Sequence, residues 1–546
     1  MTKGETSFVL GIVFIIGVGI ALVPTAPPNS LPKPPKVDWS RVVDNPAKKL
    51  SISWCGSPAF PSAQPGTWVQ RNLERAFNVD FKPLFIDWAS YGNRMPLMYA
   101  GGDVPDVNWD GDPTQVRRNV RQGYVLELPY ETILRYAPTY VRYLNRYGRE
   151  AWLFSSVNGH NYGVPTFAAS DVFPSAPIWR MDWLRKAGFT RPPETLEEMH
   201  RALRFFRNGD PDGDGQKDTY GMCPDVYWSV WFGEVFAAFG ILQQDFMVKD
   251  GKVVWGGVQP EAKRALTVLR QWYREGLIDP DFAAASEGNS PQDSKFNSGR
   301  TGYMYAYGSF SDFDKSNPNA REATMRILLP GAELAAGKPL IGLDGERRAR
   351  VWGGPGHVIW FGKDVAKSPE KAIRVLKMFE RFATDREMFL HSRVGQRGVE
   401  WDWNPDRGIV LLPPFDARGQ DMRSLLSTNI ESAYGFFSPC AIPLSETQEF
   451  LRQGEAAFRH QYEDPAWGVK NAIGKSDVVP SSASYLKDLR QLQSTTFIQI
   501  ITGDKPLNAF DGFVKEWYRR GGEILTREAN EIASEAKEIY SKVGAR

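Results

Sequence analysis

The chain is predicted to be an α/β protein built on a parallel sheet with helices on its faces, and three observations predict it. Short β-runs at 50–54, 79–86 and 106–109 are separated by helical patterns at 67–77 and 91–100, the second ending at Gly101 and Gly102. Alternation at this spacing marks βαβ units, whose crossover helices cover a parallel sheet. The 546 residues suffice for two or more domains, and 42% hydrophobic with 24% charged residues is ordinary for a soluble globular chain. No self-similarity at solenoid periods competes with this reading.

Taken in order, the first three strand ends carry Trp54, then Asp87 and Trp88, then Trp109 and Asp110. Open α/β sheets bind ligands at the carboxyl ends of their strands, so these residues are candidates for a polar-aromatic rim. Residues 157–165 form a turn and a strand. Thr195 with Glu198 three positions on is a capping box, which opens a helix running to about Phe206. The stretch 227–232 (YWSVWF) is a dense aromatic group at the head of another helix, and 260–276 has the pattern of an amphipathic helix. In 296–307 a glycine turn enters a strand whose Tyr303, Tyr305 and Tyr307 share one face. β-character returns at 326–329 and 351–361, followed by a helix with Ser368 as cap and Pro369 in its first turn. Beyond Thr384 the chain is mostly helical, with breaks at 401–408 and 503–506.

One segment has more specific chemistry. In 208–221 (NGDPDGDGQKDTYG), Asp210, Asp212, Asp214, Gly215, Gln216 and Asp218 occupy slots 1, 3, 5, 6, 7 and 9 of a calcium-binding loop. A hard dication needs six to eight oxygen ligands, and glycine at the sixth slot lets the backbone turn around it. Slot 12, ordinarily a bidentate glutamate, is Gly221. Nothing beside the loop has catalytic chemistry, so the expected ion is a structural clip.

Composition narrows the partners. A net charge of +2 without a basic block argues against nucleic acid. Aromatic content of 13%, with 18 Trp and 20 Tyr, suits ligands with both apolar and polar surface, sugars among them. Cys55, Cys223 and Cys440 are too few for a disulfide framework or a zinc site, though one pair is possible. Residues 8–23 form an uncharged apolar run behind a short head carrying Lys3 and Glu5, followed by a proline-rich spacer at 24–36. This layout is that of an export signal or of an uncleaved anchor that touches the membrane. Export therefore places the protein in the periplasm or on the outer face of the cytoplasmic membrane.

Several segments, in this order, carry a family likeness: GGDVPDV (101–107), YVLELPYETILRYAP (124–138), NGHNYGVP (158–165), IWRMDWLRKAGFTRPPETLEEM (178–199), FRNGDPDGDGQKDTYG (206–221), FNSGRTGYMYAY (296–307), VGQRGVEW (394–401) and IITGDKPLNAFDGFVKEWYRRGGEILTREAN (500–530). Through them the chain resembles the extracellular solute-binding proteins (family 1) of ABC sugar importers. Within these it is similar to the large branch that includes the alginate oligosaccharide-binding proteins.

The resemblance implies a two-lobed periplasmic-binding fold with a hinge and a helix-rich second lobe. Residues 1–47 would be signal or anchor and spacer. The first lobe would take 48–167 and 312–384, and the second 168–311 and 385–546 with the calcium loop at 210–221. Hinge crossings would lie near 167–170, 307–310 and 383–386. The likeness also implies structural calcium on Asp210, Asp212, Asp214, the Gln216 carbonyl and Asp218. Thr219 departs from an acidic residue often found there, and Arg397 stands where the family commonly has glutamate. If Arg397 faces the cleft, the ligand is expected to be anionic or to present its hydroxyls differently.

The implied function is capture of a sugar or oligosaccharide between two lobes and delivery to the permease of an ABC importer, by a monomer and without catalysis. Aromatic faces would stack on sugar C–H surfaces while flanking Asp or Arg groups bind hydroxyls. The candidates are Trp54, Asp87, Trp109 and Asp110 from the first lobe and Trp228, Trp231 and Trp401 from the second, with Tyr305, Tyr307 and Trp352 near the hinge. The competing readings are a secreted glycoside hydrolase or lyase and a membrane-tethered sugar sensor. A hydrolase needs two carboxylates about 5–10 Å apart, and no sequence feature selects such a pair.

Overall fold

The computed structural model describes residues 36–59, 63–167, 175–225, 231–284, 291–307, 321–351, 355–404, 408–413, 436–437 and 465–544. Its frame is two sheets. Their strands are β1 (Leu50–Trp54), β2 (Val79–Pro83), β3 (Val107–Asp110), β4 (Val164–Phe167), β5 (Ser175–Arg180), β6 (Tyr220–Met222), β7 (Thr301–Tyr307), β8 (Leu334–Ala336) and β9 (Pro355–Phe361). The first sheet runs β2-β1-β3-β9-β4 and the second β8-β5-β7-β6.

In the first sheet β1 pairs in parallel with β2 and β3, as expected of βαβ units. The helix between β1 and β2, α1 (Trp68–Phe77), starts where the Thr67 side chain accepts the Gln70 N–H and ends on Asn78 at φ 49°. The next, α2 (Trp88–Ala100), begins earlier than the sequence pattern indicates because the Asp87 side chain caps it, accepting the Ser90 N–H. The fourth strand departs from the parallel expectation: β9 lies antiparallel to both β3 and β4. It returns to the sheet after the excursion that builds the second sheet, so no right-handed crossover dictates its direction.

The second sheet is mixed, with β7 parallel to β6 and antiparallel to β5. The helix that leads into β6 is α3 (Leu196–Asn208), capped as expected by Thr195, whose hydroxyl oxygen accepts the Glu198 N–H. Glu198 closes its half of the box one residue further out, accepting the Glu194 N–H at 2.8 Å. A short helix, α4 (Gly233–Ala238), follows the aromatic group, and α5 (Pro260–Arg274) buries Ala262, Ala265, Leu266, Leu269 and Trp272 along one stripe.

Two expectations are corrected in the next stretch. Of residues 326–329, read as β, the first three end a helix, α6 (Arg321–Leu328), and Leu329 follows it. Its apolar run is only half buried: Met325 packs with Ile178, Phe296 and Met304, whereas Ile327 and Leu328 are 77% and 74% exposed. Spacing of the buried positions, rather than hydrophobicity of the run, decides helix here. β8 pairs with β5 at the edge of the second sheet. Further on, α7 (Glu370–Thr384) has Pro369 at its N-cap, not Ser368, and no side chain caps it.

Two long-range ties hold the ends of the chain. Asp44 is buried beneath α7, where Arg374 and Lys377 donate to its carboxylate at 2.7–3.0 Å. The C-terminal helices α8 (Ser482–Thr502) and α9 (Glu523–Lys542) pack on the second sheet's side through α5 and the 252–255 strand. Asn530 of α9 exchanges two hydrogen bonds with the Val253 backbone, and Val543 just beyond α9 accepts from Asn145. One helix thus contacts elements that belong with each sheet. Cys55 and Cys223 are free and buried, and Cys440 lies outside the described residues. Among the described residues no helix is long and apolar enough to cross a membrane, and the apolar run at 8–23 lies outside them.

Candidate functional site

Three constellations carry chemistry. The first is at the carboxyl end of β3. Asp87 caps α2, and the Ser90 hydrogen bonds hold its carboxyl below the ordinary value. Capping fixes the start of α2 and so the position of Trp88, which is 51% exposed. Trp88 meets Trp109 edge-on, with ring centroids 6.3 Å apart at 89°, and Tyr91 does the same at 5.7 Å. Trp109 in turn lies 4.4 Å from the His357 ring. The Tyr91 hydroxyl donates to the Trp109 carbonyl at 2.7 Å, and Lys475 donates to the carbonyls of Gly356 at 3.0 Å and Gly111 at 3.3 Å. Burial, with Lys475 beside it, pushes the His357 imidazole down to about 3, so the ring is neutral. The result is an aromatic rim with one exposed tryptophan face.

Asp110 is placed beneath this rim, not on it. Its carboxylate accepts the Trp360 indole N–H at 2.8 Å and the Asn119 amide at 3.2 Å. Burial pushes its carboxyl up to about 7, and Asp112 adds to the effect against those two donors.

The second constellation is at the carboxyl ends of β6 and β7. A small pocket is lined by Met222, Phe232, Glu234, Tyr303 and Tyr305, among others. Tyr305 and Gly233 also line a second small pocket with Gln244, Asp245 and Arg350. There Arg350 donates to the Asp245 carboxylate at 2.6 Å and the Asn471 amide donates to it at 2.9 Å; although burial works against it, the Arg350 charge and these donors keep the Asp245 carboxyl below its ordinary value.

The remaining tryptophans among the candidates belong to the core. Trp54 is 1% exposed because it follows Leu50 and Ile52 on the buried face of β1, and its indole donates to the Phe436 carbonyl. Trp231 packs against Phe232 and Phe497, and Trp401 donates to the Gly395 carbonyl from a buried position. Tyr307 ends β7, and Trp228 and Trp352 lie outside the described residues. Arg397 is bound to Asp402 at 2.9 Å with Glu387 nearby, so its charge already has partners. Trp88 belongs to the rim that the strand ends predict, whereas His357, Glu234 and Arg350 carry no such signal in their strand or helix positions alone. Glu234 left a legible signal of another kind, a lone acid in an apolar run (WFGEVFAAFG).

The third constellation is the acidic loop between α3 and β6. Carboxylate oxygens of Asp210, Asp212 and Asp214 lie within 4.8 Å of one another. Asp210, at φ 49°, accepts the N–H groups of Gly213 and Gly215, and Asp214 accepts that of Gln216. Burial, then crowding by Asp214, Asp210 and Asp218, pushes the Asp212 carboxyl up. Asp218 pairs with Arg300, while its other oxygen is buried without a hydrogen-bond partner. Crowded carboxylates and an orphaned acceptor fit a hard cation. Slot 12 is structurally barred to glutamate: a Cβ on Gly221 would lie 2.7 Å from the Leu277 carbonyl and 2.8 Å from the Leu203 side chain.

With fold and sites in view, comparison places the chain. The model of the bacterial extracellular solute-binding proteins matches residues 61–355, and the chain belongs to that family. It is 25% identical over 504 residues to lipoprotein LipO of Bacillus subtilis (strain 168), covering 88% of this chain and 91% of the relative. It is 21% identical over 500 residues to the polygalacturonan/rhamnogalacturonan-binding protein YtcQ of the same organism, covering 90% and 93%. Among solved structures, the alginate-binding protein AlgQ2 without calcium ion superposes with a TM-score of 0.61 at 18% identity, covering 89% of this chain and 98% of that one. The fold is therefore the two-lobed α/β fold of the periplasmic binding proteins.

The Asp110 carboxyl sets a pH dependence. Folded, it keeps its proton up to about pH 7; unfolded, it loses it near the ordinary value of 3.8. The native state therefore binds more protons between those limits, and this group's contribution to stability falls as pH rises. Asp110→Asn retains the acceptor for Trp360 and removes the ionisation. It should melt above the parent at pH 8, with the gap closing towards pH 4 in a series of thermal melts.

Proposed function

We propose that the protein captures a sugar or oligosaccharide between the lobe built on the first sheet and the lobe built on the second, and presents it to the permease of an ABC importer. The observation that carries this is the exposed Trp88 face held by Asp87, Tyr91 and Trp109 at the carboxyl end of β3. An indole face held edge-on by other rings is pre-organised for the C–H surface of a sugar, so little freedom is lost on binding. The family relation supports solute capture, and the names of YtcQ and AlgQ2 support a saccharide as the solute. Binding would draw the lobes together as a hinge motion selected by ligand. The first lobe would comprise 48–167 with 355–384, and the second would include 321–351 because β8 pairs there. Lipoprotein LipO among the relatives supports a protein exported or held at the membrane, and we propose that it works as a monomer.

Calorimetry against a panel of oligosaccharides tests the reading. The parent should bind at least one, and Trp88→Ala and Trp109→Ala should each weaken it by about tenfold. Unchanged affinity in both variants would sink the assignment of the rim, and release of new reducing ends would favour a hydrolase.

The acidic loop is proposed to hold calcium through Asp210, Asp212, Asp214, Asp218 and the Gln216 backbone, as a clip that fixes α3 to β6. Its bound charge would relieve the crowding around Asp212. Millimolar calcium should raise the melting temperature of the full chain by a few degrees relative to chelator, and Asp212→Asn should abolish the rise. Sugar affinity should stay within about twofold, the range of a site that only stabilises the native state. Loss of sugar binding in a chelated but folded protein would contradict a structural role.

A further inference from the structure

Two consecutive helices on the first-sheet side, Tyr130–Tyr136 and Pro138–Gly148, turn an arginine-bearing face to solvent. The second buries Tyr140, Val141 and Leu144 and leaves Arg142 and Arg146, one turn apart, exposed. The first buries Tyr130, Thr132 and Ile133 and exposes Arg135. Among the described residues no carboxylate lies within ion-pair distance of Arg135 or Arg142. Glu131 is the one acid on either helix. Glu380 of α7, which packs on the second helix, is engaged by the N–H groups of Thr139 and Tyr140. Half-buried tyrosines lie among the arginines: Tyr136 follows Arg135, and the Tyr143 ring is 5.7 Å from the Arg142 guanidinium. This is the chemistry of a water–lipid boundary, where amphipathic rings sit at headgroup level and guanidinium forks bind phosphate.

The N-terminal chain enters the fold on these same helices. The Trp39 indole donates to the Glu127 carbonyl at 3.1 Å, just ahead of the first helix. The Tyr136 hydroxyl donates to the Val42 carbonyl at 3.3 Å, and the neighbouring Val43 is 80% exposed. Fifteen residues separate Trp39 from Val23, where the apolar run at 8–23 ends. Such a stretch spans at most about 55 Å, less than the roughly 60 Å diameter of a folded chain of this size. With the apolar run in a bilayer, the surface around Trp39 is the one held beside the headgroups. A second contact from that surface then forms at high effective concentration.

We propose that the arginine face of 130–148 docks on an anionic lipid surface, its guanidinium groups on the headgroup phosphates, and so fixes how the tethered protein lies on the membrane. An acidic protein or glycan also offers negative charge, but only the bilayer is brought to this face by the chain itself. The inference rests on the export reading of residues 8–23 and is independent of the bound sugar.

The full chain tests it on vesicles of phosphatidylcholine alone or mixed with phosphatidylglycerol. Phenylglyoxal labelling, read by mass spectrometry, should slow at Arg135, Arg142 and Arg146 on the anionic vesicles by about fivefold, the worth of one arginine at such a surface. Arg204 of α3, exposed on the second-sheet side, should label equally on both. High salt should remove the protection. Amide hydrogen exchange within 130–148 should slow on the anionic vesicles in the parent, and not in a variant carrying Arg135→Gln, Arg142→Gln and Arg146→Gln. Equal labelling of a chain that floats with both kinds of vesicle overturns the docking and leaves the anchor standing, as does slowed exchange that persists in the variant. Failure to float with either overturns the anchor and the docking together. Protection by soluble oligogalacturonate but not by vesicles overturns the lipid in favour of an acidic glycan.

Discussion

The seating of β9 between β3 and β4 is the constraint on which the rest of the molecule depends. The chain leaves the first sheet at Phe167, builds strands of the second, and returns at Pro355 to fill an interior position. Val358, Ile359, Trp360 and Phe361 of β9 are buried to 3% exposure or less, so the first sheet has no complete core until this distant strand arrives. Such non-local closure is slow to form but couples the two sheets in one fold. β9 also reaches the site directly. Trp360 bonds Asp110, and His357 lies against Trp109.

The carboxyl ends of the two sheets differ in chemistry. At the first sheet the helix cap Asp87 and the Tyr91 hydroxyl fix a set of rings, and one of them, Trp88, remains open to solvent. At the second sheet the equivalent strand ends surround an apolar pocket whose polar content is mostly hydroxyl and neutral acid. The helix α9, bonded to Val253 and reaching Asn145 and Arg149, bridges both sides of the molecule without entering either pocket. It is well placed to limit how far the halves separate.

The fold was legible where local pattern and tertiary role agree. β1, β2 and β3 alternate with helices, Thr195 caps where the spacing of Glu198 says it should, and the acidic loop gathers three carboxylates as its spacing implies. Pattern failed where the decisive contact is distant in sequence. Nothing local says that β9 runs antiparallel, or that β8 joins β5 rather than the first sheet. The residues 326–329 were misread because a hydrophobic run was taken for a strand although half of it faces solvent. For the site, residue type was a poor guide. Trp54, Trp231 and Trp401 have the chemistry of sugar platforms but lie buried in the core, whereas Trp88, next to Asp87 in the predicted rim, is exposed. Glu234 stood out in its apolar surroundings, but its meaning depends on Tyr303 and on a pocket that only the folded chain assembles.

The central claim is a saccharide held between two lobes that move together. Small-angle scattering of the full chain, with and without a saturating oligosaccharide taken from the binding panel, tests it most directly. The account predicts a smaller radius of gyration in the bound state, reversed when the ligand is dialysed away intact. An unchanged radius at saturation, or recovery of the ligand as shorter products, would contradict it.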